Sequence, residues 1–129
     1  MGFKTALVTY LTTDTTISGL IGARLYPALL PQKPTYPCVR YVVVSAPREY
    51  DHNGASGLVK ARVQFDVYAV TAAQAEAVKE AFRARLSGFK GTMGTVVVGS
   101  SQMISERDGY EDSPDVYDSS FDFSIWFKE

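Results

Sequence analysis

Catalysis or metal binding by this chain would have to be built from very few groups. His52 is the only histidine and Cys38 the only cysteine among 129 residues. A serine triad could therefore form only around His52, and a thiol dyad only from Cys38 with His52. His52 lies in Asp51-His52-Asn53-Gly54, a turn sequence in which a solvent-exposed histidine is the ordinary reading. Cys38 sits beside Val39 in an apolar, β-branched run with Arg40 as its cationic neighbour, so it reads as a small buried hydrophobe and not as an activated thiolate. One cysteine makes no intramolecular disulfide, and the fold is not tied to an oxidising compartment. A structural zinc site takes four ligands, which one His and one Cys cannot supply.

Carboxylates are more plentiful. The acidic stretch Glu106, Asp108, Glu111, Asp112, Asp115 and Asp118 has neither the spacing nor the terminal glutamate of an EF-hand loop, and reads as a solvated acidic loop. Gly88, Gly91 and Gly94 recur every three residues without the Gly-Lys-Ser/Thr ending of a phosphate loop or the spacing of a dinucleotide fingerprint, so they read as turn glycines. The chain is expected to be no enzyme and to hold no cofactor and no metal.

Composition bounds what remains. Apolar residues at 46% and charged residues at 21% place the chain among ordinary globular proteins. A single domain over 1–129 is expected, burying roughly two-thirds of the surface its unfolded chain exposes. A net charge of −1 provides no whole-chain basic field, which argues against DNA binding as a main task. The charge is uneven, however: residues 1–70 carry seven Lys/Arg against four Asp/Glu (+3), and residues 71–129 carry six against ten (−4). Such a split suits head-to-tail contact between copies. Residues 1–11 lack the apolar length and cleavage site of a secretory leader, and Ala6 stands where a myristoylation signal needs Ser or Thr. The expectation is a soluble, cytoplasmic protein with no membrane segment.

The elements that would carry these residues follow from periodicity and punctuation. Phe3, Leu7, Val8, Tyr10 and Leu11 have helical spacing, and Asp14 is placed to cap a second short helix bearing Ile17, Leu20 and Ile21, closed by Gly22. A brief strand at 24–26 precedes a loop with Pro27, Pro31, Pro34 and Pro37. Two strands, 38 to about 49 and 58–70, are expected to pair as a long hairpin around a loop from Asp51 to Gly57. The second alternates, with Val59, Ala61, Val63, Phe65 and Val67 against Lys60, Arg62, Gln64 and Asp66. Thr71 and Gln74 form a capping box for a helix over about 72–86 with the stripe Ala75, Val78, Phe82 and Leu86, which leaves Glu76, Lys79, Glu80 and Arg83 in water; Gly88 ends it. A turn at 91–94, strands at 96–98 and 102–107, the acidic loop, and a last alternating strand at 116–127 complete the chain. The fold class is α+β: a mostly antiparallel sheet with a long hairpin, packed on one face by the main helix and the N-terminal helices.

Two features point beyond a monomer. A strand of about twelve residues runs to roughly 40 Å at about 3.3 Å each, and a compact domain of this length spans only about 35 Å, so the hairpin tip with Asp51, Asn53 and Gly54 should project. Val42, Val44, Tyr68 and Trp126 fall on strand faces that ought to be wet, which makes them candidates for an oligomer interface. The alternative is that the Pro27–Pro37 loop or the first helix folds over that face.

The order of motifs resembles the tail-completion (tail-terminator) family of long-tailed phages and prophages. Gly22-Ala23-Arg24-Leu25-Tyr26-Pro27, the strand opened by Pro37, Gly54-Ala55-Ser56-Gly57, Val63-Gln64-Phe65-Asp66-Val67-Tyr68, the alanine-rich 72–86 helix and Asp122-Phe123-Ser124-Ile125-Trp126-Phe127 are similar to that family's pattern from about Leu7 to Lys128. The resemblance implies a structural virion protein, assembled in the host cytoplasm, that forms a ring, commonly a hexamer, at the head-proximal end of the tail. Its partners would be further copies of itself, the tail tube protein and the head–tail connector, with DNA only in transit. On that reading Glu111, Asp112 and Asp115 would face the lumen. The competing readings are another neck component, such as a head-closure ring, and a small-molecule-binding α+β domain.

Overall fold

A computed structural model describes residues 2–112 and 115–129, without the side chains of Ala55, Glu111, Asp112 and Asp115. The chain opens with α1 (Phe3–Thr12) and α2 (Thr15–Ile21). Asp14 accepts the backbone N–H of Ile17 at 3.1 Å, and Gly22 takes φ +60° just past the helix end, as the cap residues lead one to expect. β1 (Leu25–Pro27) follows, then the proline loop, β2 (Cys38–Ser45), β3 (Arg48–Asp51) and β4 (Gly54–Ala69). α3 (Ala72–Leu86), with Thr71 Oγ1 accepting the N–H of Gln74, leads to β5 (Gly91–Met93), β6 (Val96–Asp112) and β7 (Asp115–Lys128).

The strands form one sheet in the order β1-β2-β4-β7-β6-β5, with β3 continuing beside β4. Every pairing is antiparallel except β1 with β2, so the fold is α+β as expected. One face, the inner one, carries the helices. α3 lays Ala75, Val78, Phe82 and Leu86 on it, and α1 and α2 add Leu7, Leu11, Ile17 and Ile21, all buried. Phe65 of β4 meets Phe82 at 5.3 Å, Phe121 at 5.4 Å and Phe123 at 6.2 Å between ring centroids, a packing that adds to the burial of each ring. Among the described residues no helix is long and apolar enough to cross a membrane.

Several sequence expectations are corrected. The first expected strand breaks at Ala46-Pro47 into β2 and β3, because Pro47 cannot donate to a ladder. The turn is only His52-Asn53, and residues 54–57, expected in the loop, belong to β4. Gly54 at φ +109° and Gly57 at φ +82° absorb the reversal and the β3–β4 register shift. Residues 96–112 are one strand and not two, and the expected acidic loop is the end of a second long hairpin, β6–β7. Gly99 and Ile104 are each one residue too many in the β6 register, and these bulges reset the alternation that marks a strand in sequence. Gly91–Met93 is a strand in place of the expected turn. Lys79, expected in water, is only 4% exposed.

Candidate assembly surface

Among the described residues no helix lies on the outer face of the sheet, and yet that face contains two buried carboxylates. Asp66 is 2% exposed and Asp122 is 1% exposed. Asp66 of β4 lies level with Arg40 of β2 and Ser120 of β7. Arg40 Nη2 reaches its Oδ2 at 2.6 Å, while Gln64 Nε2 (3.0 Å) and Ser120 Oγ (2.6 Å) donate to Oδ1. Burial by itself would raise the Asp66 pKa, but the hydrogen bonds from Ser120, Gln64 and Arg40 outweigh it and hold the carboxyl below its ordinary value. Asp122 of β7 takes both Arg62 Nη2 (2.6 Å) and Nε (3.1 Å) on Oδ2, with Ser105 Oγ at 3.5 Å. Its Oδ1 has no hydrogen bond among the described residues and faces Arg107 at 3.9 Å. The two clusters stitch β2, β4, β7 and β6 together on the side away from the helices.

The residues singled out from sequence are distributed over this face and its ends. Val42 and Trp126 are half-buried, and Lys60 Nζ stands 5.2 Å from the Trp126 ring centroid, within cation–π range. Val44 is 51% exposed; it is the extra residue of a bulge, between Val43 opposite Val63 and Ser45 opposite Arg62. Tyr68 is half-buried and lines a cleft of about 570 Å³ with Leu30, Pro31, Lys33, Pro34, Tyr36 and Val116. The proline loop therefore reaches that end of the outer face, but Val44 stays open. Asp51, Asn53 and Gly54 are exposed at the β3–β4 tip, where Asp51 Oδ1 accepts the N–H of Asn53 at 2.9 Å. β7 stops at Lys128, opposite Leu58, and Glu129 N–H still reaches the Gly57 carbonyl at 2.7 Å, so residues 49–56 continue as a two-stranded ribbon past the sheet. β4 alone spans 16 residues, about 50 Å. The side chains of Glu111, Asp112 and Asp115 lie outside the described residues, and their backbone stands at the far end of the sheet, on β6–β7.

Several contributors carried no signal in the sequence. Lys79 reaches from α3 to β6, with Nζ at 2.9 Å from Glu76, 3.3 Å from Glu106 and 4.0 Å from Asp108. Burial would lower its pKa, but Glu76, Glu106 and Asp108 raise it. Ser119 donates to Asp108 at 2.8 Å nearby. The inner face thus holds titratable groups that alternation alone did not place there. Ile104 is 48% exposed on β6; the consecutive apolar pair Met103-Ile104 was its one sequence trace. The Cys38 thiol is fully buried, and desolvation, opposed by Arg24, pushes its pKa up to about 11, so it stays protonated near neutrality. His52 stands exposed in the turn. Among the described residues no group of three or more His, Cys, Asp or Glu is placed to hold a metal ion.

A family model described as tail completion protein gp17 matches residues 5–128. The chain belongs to that family. Membership makes this tail completion protein a structural component of a phage tail or neck. Among solved structures, a chain from a structure titled "Virion of native gene transfer agent (GTA) particle" superposes with a TM-score of 0.81 at 16% identity, covering 98% of this chain and 95% of that one, a likeness of fold. A search of curated proteins by sequence returned no match.

Proposed function

We propose that this tail completion protein assembles as a closed ring, a hexamer in the first instance, at the head-proximal end of the tail. There the 1–129 chain, acting as one domain, ends growth of the tail tube and joins the tail to the head connector. It acts through contact and not through catalysis, and DNA meets it only in passing through the channel. The observation that carries this reading is the family match over nearly the whole chain; the similar fold in a gene transfer agent virion supports a place in the particle. A ring needs two unlike, complementary surfaces on each copy. Val42, Val44, Tyr68 and Trp126, with the tip residues Asp51, Asn53 and Gly54, are the proposed contact residues. Glu111, Asp112 and Asp115 face the lumen, where negative charge repels passing DNA.

Electron microscopy of particles lacking the protein tests the role. Overlong tails are expected if it terminates the tube. Tails of normal length unattached to heads would instead assign it to head closure, and normal, attached tails would remove it from the neck altogether. A ring map with the 111–115 segment on the outer rim would overturn the lumen assignment.

A further inference from the structure

We propose that neighbouring copies meet flank to flank, the open flank of β6 in one copy running antiparallel to β1 and β2 of the next, with Ile104 of one against Val44 of the other. This rests on the ring reading above and names the contact that would close it.

The two flanks of the sheet are unequally covered by the chain itself. β5 pairs only with Val96–Val98 of β6, and Gly88 N–H reaches the Ser101 carbonyl at 2.8 Å. From Gln102 onward no described strand lies on that side of β6. On the opposite flank β1 covers β2 only at Val39–Tyr41, and no described strand lies beyond Val42–Ser45. Open strand edges are templates for association unless something blocks them.

The bulges set the height at which the flanks match. Val43, Val63, Phe123 and Met103 stand in one row across β2, β4, β7 and β6. The extra residue of each bulged strand sits beside an end of that row, Val44 on one flank and Ile104 on the other, and each is about half exposed, at 51% and 48%. Because adjacent strands alternate in direction from β2 to β6, β6 runs opposite to β2. Rotation about an axis along the strands therefore brings β6 beside the next copy's β2 antiparallel and without a change of height, which places Ile104 about one residue step from Val44, the two lying on opposite sides of the row. A contact of this kind is heterologous and closes by rotation.

Outline and charge agree. β1 adds a step at the level of Val67 to Phe65, and β5 adds one at the level of Val59. The steps fall at different heights, so β1 of the next copy faces the bare part of β6, near Glu106–Asp108, and does not collide with β5. Residues 24–45 carry Arg24, Lys33 and Arg40 with no acid, and residues 102–112 carry Glu106, Asp108, Glu111 and Asp112 with Arg107. Arg40 is matched by Asp66, and Glu106 and Asp108 by Lys79, within their own copy; the flanks still keep opposite signs, which favours their meeting. Pro27 offers no N–H to a neighbour, so side chains and charge, not an unbroken hydrogen-bond ladder, hold the join.

The test co-expresses differently tagged Val44→Cys and Ile104→Cys copies with the other phage structural proteins and treats the particles with a short bis-maleimide. Buried Cys38 stays unreactive. A covalent heterodimer that forms only when both variants are present is the expected result. Self-linking of either variant alone would indicate a symmetric contact and overturn the proposal. Absence of any link, while native mass measurement of the released protein shows a ring, would overturn the flank contact and leave the ring reading standing. A monomer throughout would overturn the ring reading and this contact with it.

Discussion

The inner and outer faces of the sheet are written in the same alternating strands, and they cohere by different physics. On the inner face Phe65, Phe121 and Phe123 pack against Phe82 of α3, all four fully buried. On the outer face the deepest groups are the carboxylates of Asp66 and Asp122, each gripped by an arginine whose own head reaches solvent. Burial of apolar area is non-directional and holds the layers together. Charge-assisted hydrogen bonds are directional, and they align neighbouring strands without demanding that a further layer cover them. A sheet built in this way can stand with one face open, which is what a subunit needs if another protein is to meet that face.

The largest effect should come from the inner face. Phe121→Ala removes a fully buried ring packed against three others and is expected to cost about 3–5 kcal/mol, read as a lower urea midpoint at unchanged slope. Asp122→Ala should cost less, about 1–2 kcal/mol, below the usual penalty for breaking a buried pair, because Arg62 and Arg107 are half exposed and can rehydrate. Arg62→Ala added to it should then change little, since the two residues share one interaction. If Asp122→Ala proved as damaging as Phe121→Ala, the two faces would not differ in the way described.

The inner face was largely readable from sequence and the outer face was not. Alternation placed Val59 to Val67 inward, the 75/78/82/86 stripe placed α3, and Asp14 and Thr71 announced their helices because a cap acts on backbone two or three residues away. What lies across a strand is not local. Arg62 and Asp122 are 60 residues apart, and nothing in either segment names the other, so both looked like solvated polar positions. Bulges hide for a related reason: alternation runs straight through Val43 and Val44, and Met103-Ile104 shows only as an apolar pair, although each marks where the pattern slips by one. The β6–β7 end looked like a loop because its acidic residues carry no apolar face to betray a strand. Of the candidate contact residues, alternation alone put Val42, Tyr68 and Trp126 on the outer face, but Ile104 needed the register.

Titration sharpens the contrast. Folded Asp66 holds its proton less readily than it does in the unfolded chain, so acidification favours unfolding. Its contribution is complete above the ordinary carboxylate value of about 3.8 and is lost as pH falls through the depressed folded value. The stability gap between wild type and Asp66→Asn should therefore narrow as pH drops below about 4. Lys79 runs the other way: its raised pKa makes its contribution complete below about 10.5 and lost as pH climbs past that. Lys79→Met, which keeps the buried stem, should stay within about 1 kcal/mol of wild type at neutral pH and close the remaining gap in alkali. Urea midpoints collected across pH would check both signs.

The smallest expected effect on stability is the most informative about assembly. Val44 projects from a bulge and is half exposed, so Val44→Ser should shift the free energy of unfolding by no more than about 0.5 kcal/mol. An apolar side chain left in water on a folded subunit contributes little until something covers it, and a serine there would place a hydroxyl in the middle of the joint. The variant should fold and melt as wild type does while its recovery in intact particles falls. A loss of stability of about 2 kcal/mol would mean that Val44 belongs to the core, and wild-type recovery in particles would mean that the joint lies elsewhere on the open face.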